Sequence, residues 1–189
     1  MIEFFENIEV ALFYFINSTI SNSYFDKFFP FITNLNNWIL VYVLLFGWLF
    51  LKGGKRGWIT ASALALAVFV TDHYVIDFIK EEVARLRPCH VLDYVRLLVP
   101  CGAGKSFPSA HAANNFAAAA VLAHSYSKYK WVFYIIAFLI AFSRVYVGVH
   151  YLSDIIAGGL IGFGIGFLMV YMLDKLRSIR SILRSKREL

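Results

Sequence analysis

Apolar runs that recur at about the length of a membrane crossing constrain this chain before any motif does. A helix needs ~20 predominantly apolar residues to cross the hydrocarbon core of a bilayer. Residues 38–51 with their flanks, 58–79, 131–149 and 155–173 approach or reach that length. Residues 111–126 are Ala-rich and moderately apolar. Residues 8–20 form a shorter run, interrupted by Asn17 and flanked by Glu6 and Glu9, that either spans or lies in the interface. Of the 189 residues 60% are hydrophobic and 16% charged, whereas a soluble domain is nearer half and a quarter. The excess has to face lipid. The expected fold is an all-α integral membrane bundle of five to six transmembrane helices, with an N-terminal helix that spans or is interfacial. Residues 1–189 are expected to form a single membrane-embedded domain, and no stretch resembles a cleaved signal peptide.

The charges orient this bundle. Lys52, Lys55 and Arg56 fall in one connection, Lys128 and Lys130 in another, and six more Lys and Arg in the tail 175–187. If the helices alternate, these lie on one side, which the positive-inside rule makes cytoplasmic. The C-terminus is then cytoplasmic, and the connections 80–107 and 144–153 face outward. That outer side still carries Lys80, Arg85, Arg87, Arg96, Lys105 and Arg144, a placement against the rule that points to a bound anion. In the tail, Leu176, Ile179, Ile182 and Leu183 alternate with Arg177, Arg180 and Arg184 as an amphipathic helix would on anionic lipid. The net charge of +6 is thus spent on the membrane and an anionic substrate, and no nucleic-acid partner is expected. Cys89 and Cys101 share the long outer connection; a disulfide and two free thiols are both open.

Three clusters border the outer side. Lys80 and Arg87 are seven residues apart, which brings a continuous helix back to within about 20° of its starting direction, and Pro88 then ends or bends that helix. Phe107-Pro108-Ser109-Ala110-His111 precedes an apolar helix, with Ser109 as candidate cap; free N–H groups at a helix start bind phosphate. Ser143-Arg144 precedes His150 and Asp154. Arg144 is suited to grip phosphate oxygens in bidentate fashion. His150 and Asp154, four apart, are neighbours on helical backbone, and a carboxylate on one imidazole nitrogen leaves the other free to attack. Such groups are costly at a membrane boundary unless paired or functional.

The ordered pattern Lys80-x6-Arg87-Pro88, Pro108-Ser109-Ala110-His111 and Ser143-Arg144-x5-His150-x3-Asp154 resembles the three-part signature of the type 2 phosphatidic acid phosphatase family, relatives of the vanadium haloperoxidases. The resemblance covers roughly residues 80–154. It implies a small bacterial lipid phosphatase of the inner membrane, with its site facing the periplasm. His150 would be the nucleophile, oriented by Asp154, and His111 the acid that protonates the leaving oxygen. Lys80, Arg87, Ser109, Ala110 through its backbone N–H, and Arg144 would hold the phosphate. No metal and no organic cofactor are implied. The family usually has Gly where this chain has Ala110; Ala supplies the same N–H provided its φ is negative. The expected substrate is a lipid phosphate or pyrophosphate presented by the bilayer: undecaprenyl pyrophosphate, lipid A 1-phosphate or phosphatidylglycerophosphate. A carrier binding lipid or anion, and a lipid phosphotransferase using the same site, are the alternatives.

Other residues have plainer readings. Asp72, His73 and Asp77 invite a metal site or a proton relay, but Asp77 is placed to pair with Lys80. Asn114 and Asn115 suit hydrogen bonds across helices or a place along the substrate path, and His124 has no expected catalytic role. Arg85, Arg96 and Lys105 suit either a doubly phosphorylated head group or plain solvation. Gly158, Gly162 and Gly166, at every fourth residue, suit close helix packing inside the bundle or a homodimer seam, leaving monomer and homodimer open.

Overall fold

The computed structural model describes the backbone of residues 2–185 and the side chains of residues 3–176. Helix α1 (Ile2–Tyr14) runs through a π turn, Phe15–Thr19, to a loop and α2 (Phe25–Thr33). Extended backbone at Asn34 and a short turn lead into α3 (Ile39–Leu51), bent by 74° from α2. Helix α4 (Gly54–Val70) passes through a second π turn, Thr71–Ile76, into α5 (Asp77–Val83). A four-residue helix α6 (Pro88–Val91) interrupts the long connection to α7 (Ala110–Ser125), and α8 (Lys130–Tyr146) and α9 (Leu152–Ser185) complete the chain. The described elements are all helical, as an integral membrane bundle requires, because lipid offers the backbone no hydrogen-bond partner.

Among the described residues three helices, 54–91, 127–146 and 152–176, are long and apolar enough to cross a membrane by themselves, or four if the bent pair α2–α3 counts as one span. Two helices of the expected bundle of five to six fall short of that length and hydropathy, for different reasons. The first is α7, whose 16 residues include eight alanines, two histidines and two asparagines. Its Ala112, Ala113, Ala117, Ala119 and Ala120 are buried, so neighbouring helices rather than lipid cover it. The second is α1. Glu9, Tyr14 and Asn17 all reach the same end of the bundle: Glu9 pairs with Arg85, Tyr14 donates to the Asp93 carbonyl at 2.6 Å, and Asn17 donates to the Arg96 and Tyr146 carbonyls at 2.8 Å. A segment touching one end at both its own ends lies along it. Residues 8–20 are therefore interfacial.

The glycine stripe of α9 is used inside the molecule. A Cβ on Gly158, Gly162 or Gly166 would run into the backbone carbonyl of Ser109, Ala113 or Ala117. Two rows of small residues spaced four apart thus bring the α7 and α9 backbones into contact and hold the start of α7 against the first turns of α9. At the same end Phe13, Ile16, Phe29, Ile32, Tyr146, Val149, Tyr151 and Ile155 form a buried apolar cluster.

The continuous helix expected through Lys80 and Arg87 is not formed. Helix α5 stops at Val83, Ala84 turns left-handed at φ 50°, and Arg87 is extended. Pro88 opens α6 rather than closing α5. The proline ring disfavours helical backbone at the residue before it and fits the first position of a helix, so the break falls ahead of Arg87. The basic tail is helical in backbone through Ser185; the amphipathic face expected there lies outside the residues whose side chains are described.

Candidate active site

All three sequence clusters converge at one end of the bundle. His150 sits in the connection 147–151, before α9 begins, so it and Asp154 do not share a regular helical face as their spacing suggested. The turn brings them together instead. Gly148 takes φ 89°, where a Cβ would lie 2.8 Å from the Arg96 carbonyl oxygen, and the Val149 and His150 N–H groups both return to the Arg144 carbonyl at 3.2 Å. Asp154, in the first turn of α9, accepts from the Tyr151 N–H at 2.8 Å and meets His150 Nδ1 at 3.3 Å through the same oxygen, Oδ2.

The other imidazole nitrogen, Nε2, lies 3.2 Å from Arg87 Nη1. Arginine has only donors to offer, so Nε2 accepts and the ring carries its proton on Nδ1, toward Asp154. His150 therefore presents a lone pair beside a guanidinium. Burial pushes this imidazole down to about 4, against the pull of the Asp154 carboxylate, and it is neutral at pH 7. Arg87 is itself held by Nε on the Gly104 carbonyl at 3.0 Å and Nη1 on Val149 at 3.1 Å.

Around this pair stand the remaining expected residues. Arg144 is buried and donates from Nη1 to Thr33 Oγ1 at 2.7 Å, while its buried Nε has no partner among the described residues. An unsatisfied buried guanidinium N–H is a donor held for something else. Lys80, half-buried, is within electrostatic reach of Arg87 and Arg144, and His111 within reach of Arg144, His150 and Lys80. Ser109 caps α7, its Oγ accepting the Ala112 N–H at 3.4 Å, and its own N–H is bonded to the Asp154 carbonyl at 3.0 Å. Ala110 begins the helix and is not among the residues with positive φ, so its N–H stands where a glycine's would.

A family model described as PAP2 superfamily matches residues 56–178. The chain belongs to the PAP2 superfamily. It is a hydrolase of phosphoester bonds and a multi-pass membrane protein. A lipid A 4′-phosphatase of Bacteroides thetaiotaomicron is 32% identical over 93% of the chain and 81% of its own length. Among solved structures, Aquifex aeolicus LpxE superposes with a TM-score of 0.74 at 28% identity, over 87% of this chain and 95% of that one. The PAP2-type phosphatidylglycerolphosphate phosphatase from Bacillus subtilis superposes with a TM-score of 0.67 at 27% identity, over 90% and 86%.

Several contacts of this PAP2 site had no sequence signal. Thr33 reaches Arg144 from α2, and Glu9 and Ser153 meet Arg85 across 76 and 68 residues. Arg85 and Arg96, two candidates for a second phosphate, are already engaged: Arg85 with Glu9 and Asp154, Arg96 with Asp26 at 2.7 Å. Asp26 draws the Arg96 guanidinium above its ordinary range. Asp77 faces His73 at 3.9 Å and Asn114 donates to Asp72 at 3.0 Å. Among the described residues the one His, Cys and carboxylate group with metal-binding spacing is Cys89, His90 and Cys101, and its two cysteines are joined as a disulfide. His124 pairs with Asp174 at the far end, and Asn115 bonds its own helix at the His111 carbonyl.

Proposed function

We propose that this protein is a metal-independent lipid phosphatase that works through a phosphohistidine on His150. The observation that carries this reading is the imidazole held between Asp154 on Nδ1 and Arg87 on Nε2. A phosphate arriving beside it draws Arg87 onto its oxygens and frees the Nε2 lone pair. The Arg144 Nε–H, Lys80 and the Ala110 and His111 N–H groups at the start of α7 supply further donors. Phosphoryl transfer is governed by such positioned charge and in-line geometry. The cluster of Lys80, Arg87 and Arg144 takes the electrostatic place that a divalent cation would otherwise fill.

In the first step the bond from His150 Nε2 to phosphorus forms as the bond from phosphorus to the lipid oxygen breaks. His111, which takes up a proton as the anionic phosphate docks among the cations beside it, gives that proton to the lipid oxygen, and the lipid alcohol, or the lipid monophosphate where a pyrophosphate is cut, departs. Asp154 accepts the Nδ1 proton in a hydrogen bond as the ring becomes positive. In the second step water attacks phosphorus, His111 takes its proton back, and inorganic phosphate leaves with the nucleophile restored.

The substrate is a phosphorylated lipid of the bacterial envelope. The likeness to a lipid A 4′-phosphatase along nearly the whole chain puts phosphorylated lipid A first. It adds the 4′ position to the three lipids expected from sequence. The site opens on the periplasmic face of the inner membrane, and the C-terminus is cytoplasmic. The test is phosphate release by detergent-purified protein from lipid A, undecaprenyl pyrophosphate, phosphatidylglycerophosphate and phosphatidic acid, with and without EDTA, wild type beside His150→Ala. Release should survive EDTA and fall by about 1,000-fold or more in the variant. Release that EDTA abolishes, or that His150→Ala leaves unchanged, overturns the mechanism.

A further inference from the structure

Asp154 has two oxygens, and the proposed chemistry uses one. Oδ2 receives the His150 ring and the Tyr151 N–H, whereas Oδ1 receives Arg85 Nη1 at 2.9 Å. The same Nη1 reaches Ser153 Oγ at 2.8 Å, the other terminal nitrogen pairs with Glu9, and the guanidinium lies over the Tyr151 ring, 4.0 Å from its centroid. Glu9 closes the circuit by accepting from the Ser153 hydroxyl and, at 3.3 Å, from the Ser153 N–H. Asp154 is fully buried and Arg85 about a quarter exposed, so this pair is far less screened than a surface ion pair.

The local backbone is built to deliver Arg85 to this place. The left-handed turn at Ala84 ends α5 and sends the chain sideways. Ser106 then pins the strip, its N–H on the Arg85 carbonyl at 2.8 Å and its hydroxyl on the Leu86 carbonyl at 3.1 Å. Glu9 comes from α1, which exposes Phe4, Phe5, Ile8 and Leu12, an apolar set suited to lipid. One acid thus joins a helix lying in the membrane interface to the orienter of the nucleophile.

We propose that Arg85 is a positioning residue for the hydrolysis, fixing Asp154 so that its free face meets His150 Nδ1, and that Glu9 on the interfacial helix holds Arg85 in turn. This rests on the His150–Asp154 reading above. Without Arg85 the carboxylate is free to rotate about its own bond and its buried Oδ1 loses its partner. The His150 tautomer and aim then loosen, while the phosphate-binding cations stay in place. The loss belongs to the chemical step and not to binding.

The experiment measures phosphate release and melting temperature for wild type, Arg85→Ala, Arg85→Lys and Asp154→Ala, on whichever of the four lipids named above wild type hydrolyses best. Arg85→Ala should lower kcat by about 10- to 100-fold, as loss of a group that orients a catalytic side chain does, with KM within about twofold. Added guanidinium ion should restore part of that rate in Arg85→Ala and none in Asp154→Ala. Arg85→Lys keeps the charge but lacks the planar fork that reaches Asp154, Ser153 and Glu9 together, so it should remain at least about tenfold slow. If Arg85→Ala yields no folded protein, the lysine variant decides alone. Wild-type kcat in a folded Arg85 variant overturns the proposal, as does an equal loss in KM and kcat with no guanidinium rescue. A wild type that hydrolyses none of the lipids would instead overturn the parent reading.

Discussion

At the scale of single residues, the site is organised around keeping one imidazole neutral and aimed. His150 is nearly fully buried, and burial outweighs the Asp154 carboxylate in setting its proton affinity, leaving it near 4 against an ordinary 6.5. The sign follows directly. In the proposed mechanism the neutral ring is the nucleophile, so activity is expected above that value and lost as pH falls through it. The acid limb of kcat/KM, which reports the free enzyme, should therefore lie near pH 4, with little loss between pH 7 and 5. A pH–rate profile in a detergent stable over that range checks it; an acid limb centred near 6.5 would mean that the ring is solvated and differently held. Which residues gather at the candidate site was legible in the chain because Lys80, Arg87, Ser109, His111, Arg144, His150 and Asp154 stand at ordered spacings. What orients them was not. Glu9 with Ser153, and Thr33 with Arg144, are separated by more than 100 residues, and no local pattern marks such a pair.

At the scale of elements, helices are legible in the sequence where lipid imposes a pattern and not where packing or proline does. The apolar helices α3, α8 and α9 stand close to where hydropathy puts them. The α5 break does not, because a helical phase argument from Lys80 to Arg87 assumes a continuous backbone and Pro88 acts on the residue before it. The small-residue stripe in α9 left two uses open, and the carbonyls of Ser109, Ala113 and Ala117 decide for the internal one. Gly162→Leu should therefore destabilise strongly, since overpacking against a backbone carbonyl costs about 1–3 kcal/mol or more. Gly164→Leu, where nothing lies within 4 Å of an added Cβ, should be tolerated. Thermal melts in detergent compare the two. Equal melting temperatures would mean that α7 and α9 do not meet as closely as described. Because α7 carries Ser109, Ala110 and His111, Gly162→Leu should also lower turnover in whatever protein remains folded.

At the scale of the whole molecule, the lipids within reach of the site depend on its sidedness. Basic residues crowd the end with Lys52, Lys55, Arg56, Lys128 and Lys130, and the site lies at the other end, beneath the interfacial α1. The sequence carries the first fact openly, because the positive-inside rule is a count over loops. It carries the second only through motif order, since the convergence of α1, α2, α5, α7 and α9 on one end is a property of the assembled bundle. On the proposed reading a phosphate site at that end meets lipid head groups directly, and the exposed apolar side chains of α1 beside it favour a substrate arriving along the membrane rather than from bulk water. Sidedness is testable without knowing the lipid. Added cysteines at Ala103, in the exposed stretch 102–104, and at Lys128, at the opposite end, would be probed with a membrane-impermeant thiol reagent. Ala103→Cys should react in intact cells whose outer membrane has been made permeable, and Lys128→Cys only after the inner membrane is broken. The reverse pattern would turn the site toward the cytoplasm and restrict its substrates to lipids of the inner leaflet. The expected pattern leaves the outer leaflet as the source, where a finished envelope lipid, and not a biosynthetic intermediate still facing the cytoplasm, is what the site would meet.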